Sequence, residues 1–150
     1  MLLKGARILV ADGEKALFLE NRGDPDLPDL RIIDVDRQTL KRPGEIYSDD
    51  EGRRIDHSSL GQRSAMERTD YKRIEKARFA AEIVETLQAA HRAKKFSALY
   101  VFAPPRVLGA LRDAMDKELA AAVQAEFDKN FTGEPAETLQ GRLLETLQAA

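Results

Sequence analysis

Neither cysteine nor tryptophan occurs anywhere in the chain. Without cysteine there is no disulfide framework and no thiolate metal site, and the expected setting is a reducing cytoplasm. Histidine is scarce too. His57 and His91 are too few and too far apart for a histidine-rich metal centre, so neither a metal nor another cofactor is expected. An excess of one charge is also missing: a third of the residues are charged, yet the net charge is −2. Nucleic-acid binding therefore needs a local basic patch rather than a bulk field. Long apolar runs are absent as well. The run at 8–11 is too short for a signal peptide and Asp12 ends it. Nothing approaches the roughly 20 residues that cross a bilayer, so no membrane partner is expected. What remains is 43% hydrophobic residues over 150 positions, enough for one domain, 1–150, with a substantial core.

The pattern along the chain alternates between two kinds of period. Residues 6–11 (ARILVA) and 16–20 (ALFLE) are apolar runs joined through Asp12-Gly13, a hairpin signal attributed to the positive φ that glycine tolerates. Residues 21–30 (NRGDPDLPDL) read as a loop, and 30–35 (LRIIDV) as a third strand. Residues 41–70 carry dense mixed charge with neither a 2.0 nor a 3.6 period, and read as a long flexible connection. From Tyr71 a helix is expected, capped by Thr69 or Asp70. Its stripe comprises Ile74, Ala77, Ala80 or Ala81, Val84, Leu87 and His91, widened by Phe79 and Ile83. Residues 96–103 (FSALYVFA) are apolar on both faces, as in a strand covered from both sides. Pro105 suits the first position of a helix with stripe Leu108, Leu111, Met115 and Leu119, in which Gly109 is expected to allow close packing on the sheet. Residues 123–127 read as a short edge strand or a continuation of that helix. Thr132 or Glu134 with Pro135 opens a last helix, which presents Leu139, Leu143, Leu144 and Leu147. The order predicts an α/β fold: a mixed sheet, antiparallel meander plus central parallel strand, flanked by helices and ribonuclease-H-like in topology.

Four stretches invite a chemical reading. In "LYVFAPPRVLGALRDAM" a helix starts at the end of a strand, and its free N–H groups with Arg106 suit a phosphate, although such junctions are mostly scaffold. Asp12, Asp34 and Asp36 resemble part of a two-metal nuclease, but no further acid stands at a convincing place. Ser58 and Ser59 beside His57 lack a nucleophile elbow. The stretch "HSSLGQRSAMERTD" is the most informative. A Gln on a glycine-supported tip, Gly61-Gln62, can orient a water and stabilise an oxyanion. Arg63, Arg68, Lys72 and Arg73 can follow a phosphate backbone. A solvated loop without a role for Gly61 and Gln62 is the competing reading.

Taken in order, "ILVADGEKALFLE", "GQRSAMERTD", "ARFAAEI", "LYVFAPPRVLGALR" and "EFDKNFTG" resemble the bacterial host-attachment protein family over nearly the whole chain. That family is in turn similar to the catalytic middle domain of archaeal and eukaryotic translation termination factors. Those domains are ribonuclease-H-like and carry a Gly-Gly-Gln loop, before a long helix, that promotes peptidyl-tRNA hydrolysis. The resemblance implies a ribosome- or tRNA-associated module in which Gln62, with Gly61, occupies the water-positioning site. Arg63, Arg68, Lys72, Arg73 and Arg106 would contact phosphates. Leu60 departs from the pattern, standing where the first glycine is expected and lacking its backbone freedom. The alternative implied by the family name is a non-enzymatic module whose 41–70 segment folds on a protein partner.

Overall fold

Side chains of a strand point alternately to opposite faces. Ile8, Leu9, Val10 and Ala11 are nevertheless all buried, as is every residue from Leu99 to Phe102. A sheet apolar on both faces needs a layer on each side, and the chain supplies helices for both. The computed structural model describes residues 2–38 and 64–149, with side chains in the second stretch described from Arg73 onward. Its elements are β1 (Arg7–Ala11), β2 (Lys15–Asn21), β3 (Leu30–Arg37), α1 (Ser64–Arg92), β4 (Leu99–Phe102), α2 (Pro105–Ala114), α3 (Lys117–Ala122), β5 (Val123–Phe127) and α4 (Ala136–Ala149).

Among the described residues the strands form one mixed sheet of order β3-β2-β1-β4-β5. The β1–β2 and β2–β3 pairs are antiparallel, while β1–β4 and β4–β5 are parallel. One face presents Leu9, Ala11, Ala16, Phe18, Leu99 and Val101 to Phe79, Ile83 and Leu87 of α1, Leu108 and Leu111 of α2, and Leu119 of α3. The other face presents Ile8, Val10, Leu17, Leu19, Tyr100 and Phe102 to Leu139 and Leu143 of α4. Each large side chain fully buried this way stabilises the fold by roughly 1.5–3 kcal/mol. The outer strand β3 is wet: Ile32 and Val35 are exposed, and its register against β2 shifts between Phe18 and Leu19.

Several local expectations change. The helix α1 begins at Ser64, so residues 64–70 belong to it rather than to the connection, and Thr69 and Asp70 lie inside it instead of capping it. Residues such as Ala65, Met66, Glu67 and Arg68 are good helix formers, and extending an established helix adds a hydrogen bond for each residue fixed. Residues 41–63 of the expected connection lie outside the described residues. The stripe is also shifted at its head. Ile74 is 57% exposed and Ala77 is exposed, while Glu75 is buried at 4%. The stripe read through Leu108, Leu111, Met115 and Leu119 spans two helices. The chain breaks between α2 and α3, where the Asp116 carboxylate caps α3 by accepting Leu119 N–H at 2.8 Å. Residues 123–127 form the strand β5.

Two glycine readings change as well. Gly13 does not adopt positive φ. A Cβ there would lie 3.1 Å from Cε of Lys76 on α1, a tight approach to the exposed side chain that lies over the turn. A Cβ on Gly109 would touch nothing within 4 Å, so close packing does not explain that glycine. Gly109→Ala is therefore expected to stabilise the protein by about 0.5–1 kcal/mol, through the backbone entropy glycine loses in a helix. The urea unfolding midpoint tests this, and a lowered midpoint would refute the open-space account.

Candidate functional site

Parallel strands place their carboxyl ends together, and in α/β sheets that edge is where ligands bind. Here β1 ends at Ala11 and β4 at Phe102, adjacent strands with Val10 opposite Phe102. Three features converge on this end. The first is the Asp12 turn. Asp12 Oδ1 accepts the N–H groups of Glu14 and Lys15, both at 2.7 Å, which holds the turn after β1. Asp12 Oδ2 lies 2.6 Å from Oγ1 of Thr132, a buried residue 120 positions away. The Thr132 hydroxyl also lies 2.7 Å from Asn130 Oδ1. It has one hydrogen to give, and the charged Asp12 carboxylate is the stronger acceptor. Asn130 Oδ1 in turn accepts Thr132 N–H at 3.2 Å. This network ties the segment after β5 to the hairpin after β1.

The second feature is the root of the 39–63 segment. Gln38 N–H donates to the Glu14 carbonyl at 2.8 Å, and Gln38 Nε2 donates to the Glu75 carbonyl at 3.0 Å. The segment thus leaves β3 beside the head of α1, the helix through which it returns. Glu75 is buried and its carboxylate pairs with Arg78 Nη1 at 3.1 Å. Lys76 lies over Gly13, and twelve helical residues precede it. At 1.5 Å per residue they extend about 18 Å further along the helix axis.

The third feature is the start of α2. Pro104 is its N-cap in extended backbone and makes no side-chain cap bond; Pro105 opens the helix, and its first turn carries no acid. The unpaired N–H groups of that turn make a partial positive charge, to which exposed Arg106 adds a full one.

Of the residues singled out from sequence, Gly61, Gln62 and Arg63 lie outside the described residues. Arg68 lies on α1 and not on a loop; Lys72 lies on that helix as expected, and Arg73 is exposed on it. Arg73 and Arg106 stand at one end of the sheet, each at the leading part of its helix. Asp34 and Asp36 sit on edge strand β3, opposite Phe18 and Ala16, away from Asp12 across β2. Among the described residues no group of three or more His, Asp or Glu could hold a metal ion. No described helix is long and apolar enough to cross a membrane. Sequence reading took Thr132 only as an opener of the last helix, which starts at Ala136, and missed Asn130, Gln38 and Glu75. The signal for Thr132 and Asn130 was slight, a polar turn "NFTG" whose partner is remote in sequence.

Thr132→Val keeps the volume and removes the hydroxyl, leaving Asp12 Oδ2 without its donor. A loss of about 1–2 kcal/mol is expected, measured by denaturant unfolding; unchanged stability would mean that the contact closes nothing.

A search of the curated proteins gives no match. The sequence profile of one family, described as "protein required for attachment to host cells", matches residues 7–143. That span runs from the start of β1 to the middle of α4 and includes every strand. The chain belongs to that family.

Proposed function

We propose that this family member is a ribosome- or tRNA-associated module of the release-factor type, built on a ribonuclease-H-like sheet. The strand order β3-β2-β1-β4-β5, with an antiparallel meander joined to parallel β4 and β5, supports that fold assignment. The observation that carries the functional reading is the convergence at one sheet end. Gln38, at the end of β3, meets the Glu75 carbonyl of α1 there, near Arg73 on the same helix, and Arg106 stands in the first turn of α2. Such an end presents cations to a phosphate backbone. The chain as a whole is weakly acidic, so the interaction depends on this local set.

In this reading Gln62 orients water and Gly61 supports the tip. Arg63, Arg68, Lys72, Arg73 and Arg106 hold phosphates. Leu60 reduces the backbone freedom next to the tip, which favours binding with vestigial hydrolysis over efficient turnover.

The test is co-sedimentation of the full chain with ribosomes across a salt series. Binding is expected to fall steeply with salt, and an Arg63→Ala/Arg68→Ala/Arg73→Ala variant is expected to lower the slope of log affinity against log salt by about 2. Gln62→Ala is expected to leave binding intact and to abolish whatever peptidyl-tRNA hydrolysis the protein has. Retained hydrolysis in that variant rejects the role of Gln62. Salt-insensitive capture of a protein instead would assign the 41–70 segment to docking without catalysis.

A further inference from the structure

The opposite end of α1 carries a second concentration of positive charge. An open groove of about 630 Å³ is lined there by Lys4, His91, Arg92, Lys94, Lys95 and, as its lone carboxylate among the lining side chains, Glu118. Of the four formal cations, only Arg92 has an ion-pair partner among the described residues, Asp116 at 3.3 Å. Lys4, Lys94 and Lys95 have none. On a chain of net charge −2, three unpaired lysines around one groove make a strongly uneven surface.

Two details separate this cluster from ordinary surface charge. The first is the backbone of Lys94. Lys94 N–H donates to the His91 carbonyl at 2.9 Å and Lys95 N–H to the Ala90 carbonyl at 3.0 Å, which is the Schellman pattern closing α1. The left-handed position of that motif normally holds glycine, yet here it is Lys94, at φ 61°. It is the one non-glycine with positive φ among the described residues. The closing carbonyls are taken by backbone N–H groups, and no lysine ammonium hydrogen-bonds to them. Helix capping therefore does not account for lysine at this strained position.

The second is Phe96. Its ring lines the groove and stands 5.4 Å from the His91 ring. The Arg7 guanidinium lies 5.5 Å from the same ring's centroid, and its buried Nε has no hydrogen-bond partner. A cation is thus held on the face of a groove-lining aromatic ring with no ion pair among the described residues.

We propose that this groove binds the phosphodiester backbone of an RNA strand, as a contact separate from the one at the head of α1. The inference rests on the RNA-associated reading and adds a second anchoring point to it. The lysines are exposed and spread over an open groove, which fits a run of phosphates better than one enclosed anion. Arg68 and Arg92 are 24 helical positions apart, about 36 Å along α1, so the two contacts would hold well-separated parts of one RNA.

The experiment titrates the full chain into fluorescein-labelled single-stranded RNA and bulk bacterial tRNA over a salt series. A Lys4→Ala/Lys94→Gly/Lys95→Ala variant is expected to bind more weakly, with the salt slope on single-stranded RNA reduced by about 2. Lys94→Gly alone is expected to raise the melting temperature by about 2–4 °C, because glycine relieves the left-handed strain, while still weakening RNA binding. A purely structural lysine would give the first effect without the second, and that result overturns the proposal. A wild-type slope in the triple variant overturns it too. If Arg68→Ala/Lys72→Ala/Arg73→Ala then weakens binding, the groove alone has failed and the reading of the α1 head stands. No RNA binding by the wild-type chain at low salt overturns both. Lysine-dependent binding to phosphatidylglycerol vesicles but not to RNA replaces the occupant with a lipid surface and equally overturns the proposal.

Discussion

Burial of β1 and β4 on both faces is the constraint on which the rest of this molecule depends. A strand with only one apolar face can leave the other to water, but Ile8 to Ala11 and Leu99 to Phe102 cannot. They demand α1, α2 and α3 on one side and α4 on the other. Parallel pairing of β1 with β4 then requires a crossover between them, and α1 is that crossover. The longest helix is thus fixed by the same requirement that makes the core. Its lower half is welded to the sheet by Phe79, Ile83 and Leu87, while its head carries exposed Ile74 and Arg73.

This division leaves the two extremities of α1 as the places where it meets the ends of the sheet. Between them the helix has one face in the core. Its head meets the carboxyl ends of the parallel strands, where the Asp12–Thr132 contact, the Gln38 root and the α2 start all converge. Its tail meets the amino ends, where the chain turns back through Lys94 and Lys95 into β4. Aligned peptide dipoles leave the head relatively positive and the tail relatively negative. Lysines at the tail therefore also offset the helix dipole, although none of them is needed to satisfy its carbonyls.

Much of this architecture was legible in the sequence, because period and burial are coupled. The continuous run at 99–102 marked a doubly covered strand, and the meander, the α1 core stripe from Ala80 to Leu87 and the α4 stripe followed from spacing. What escaped was information of other kinds. Apolar spacing ran straight through Met115-Asp116, since Leu119 keeps the helical interval although Asp116 starts a new helix. Ile74 was read into the stripe, but nine positions before Ile83 it lies about 180° around the helix from that residue, so it faces water and Glu75 is enclosed instead. Gly13 is expected to need positive φ and does not adopt it; the structure instead sets the side chain of Lys76 close over it, a contact between elements far apart in the chain. For the candidate site, the cations on α1 and α2 were visible as residue types. Their common location came only from strand order, and Thr132 and Asn130 required a contact spanning nearly the whole domain.

The wet outer strand has a consequence of its own. An unpaired strand flank is a template onto which another copy can zip, and Ile32 and Val35 would make such growth adhesive. The same strand carries Arg31, Asp34, Asp36 and Arg37, and its register slips beside Phe18. A neighbour aligning with it would have to bury those charges and follow an irregular ladder. Charges and an irregular ladder on this edge thus work against such growth, which is how exposed Ile32 and Val35 are tolerated there.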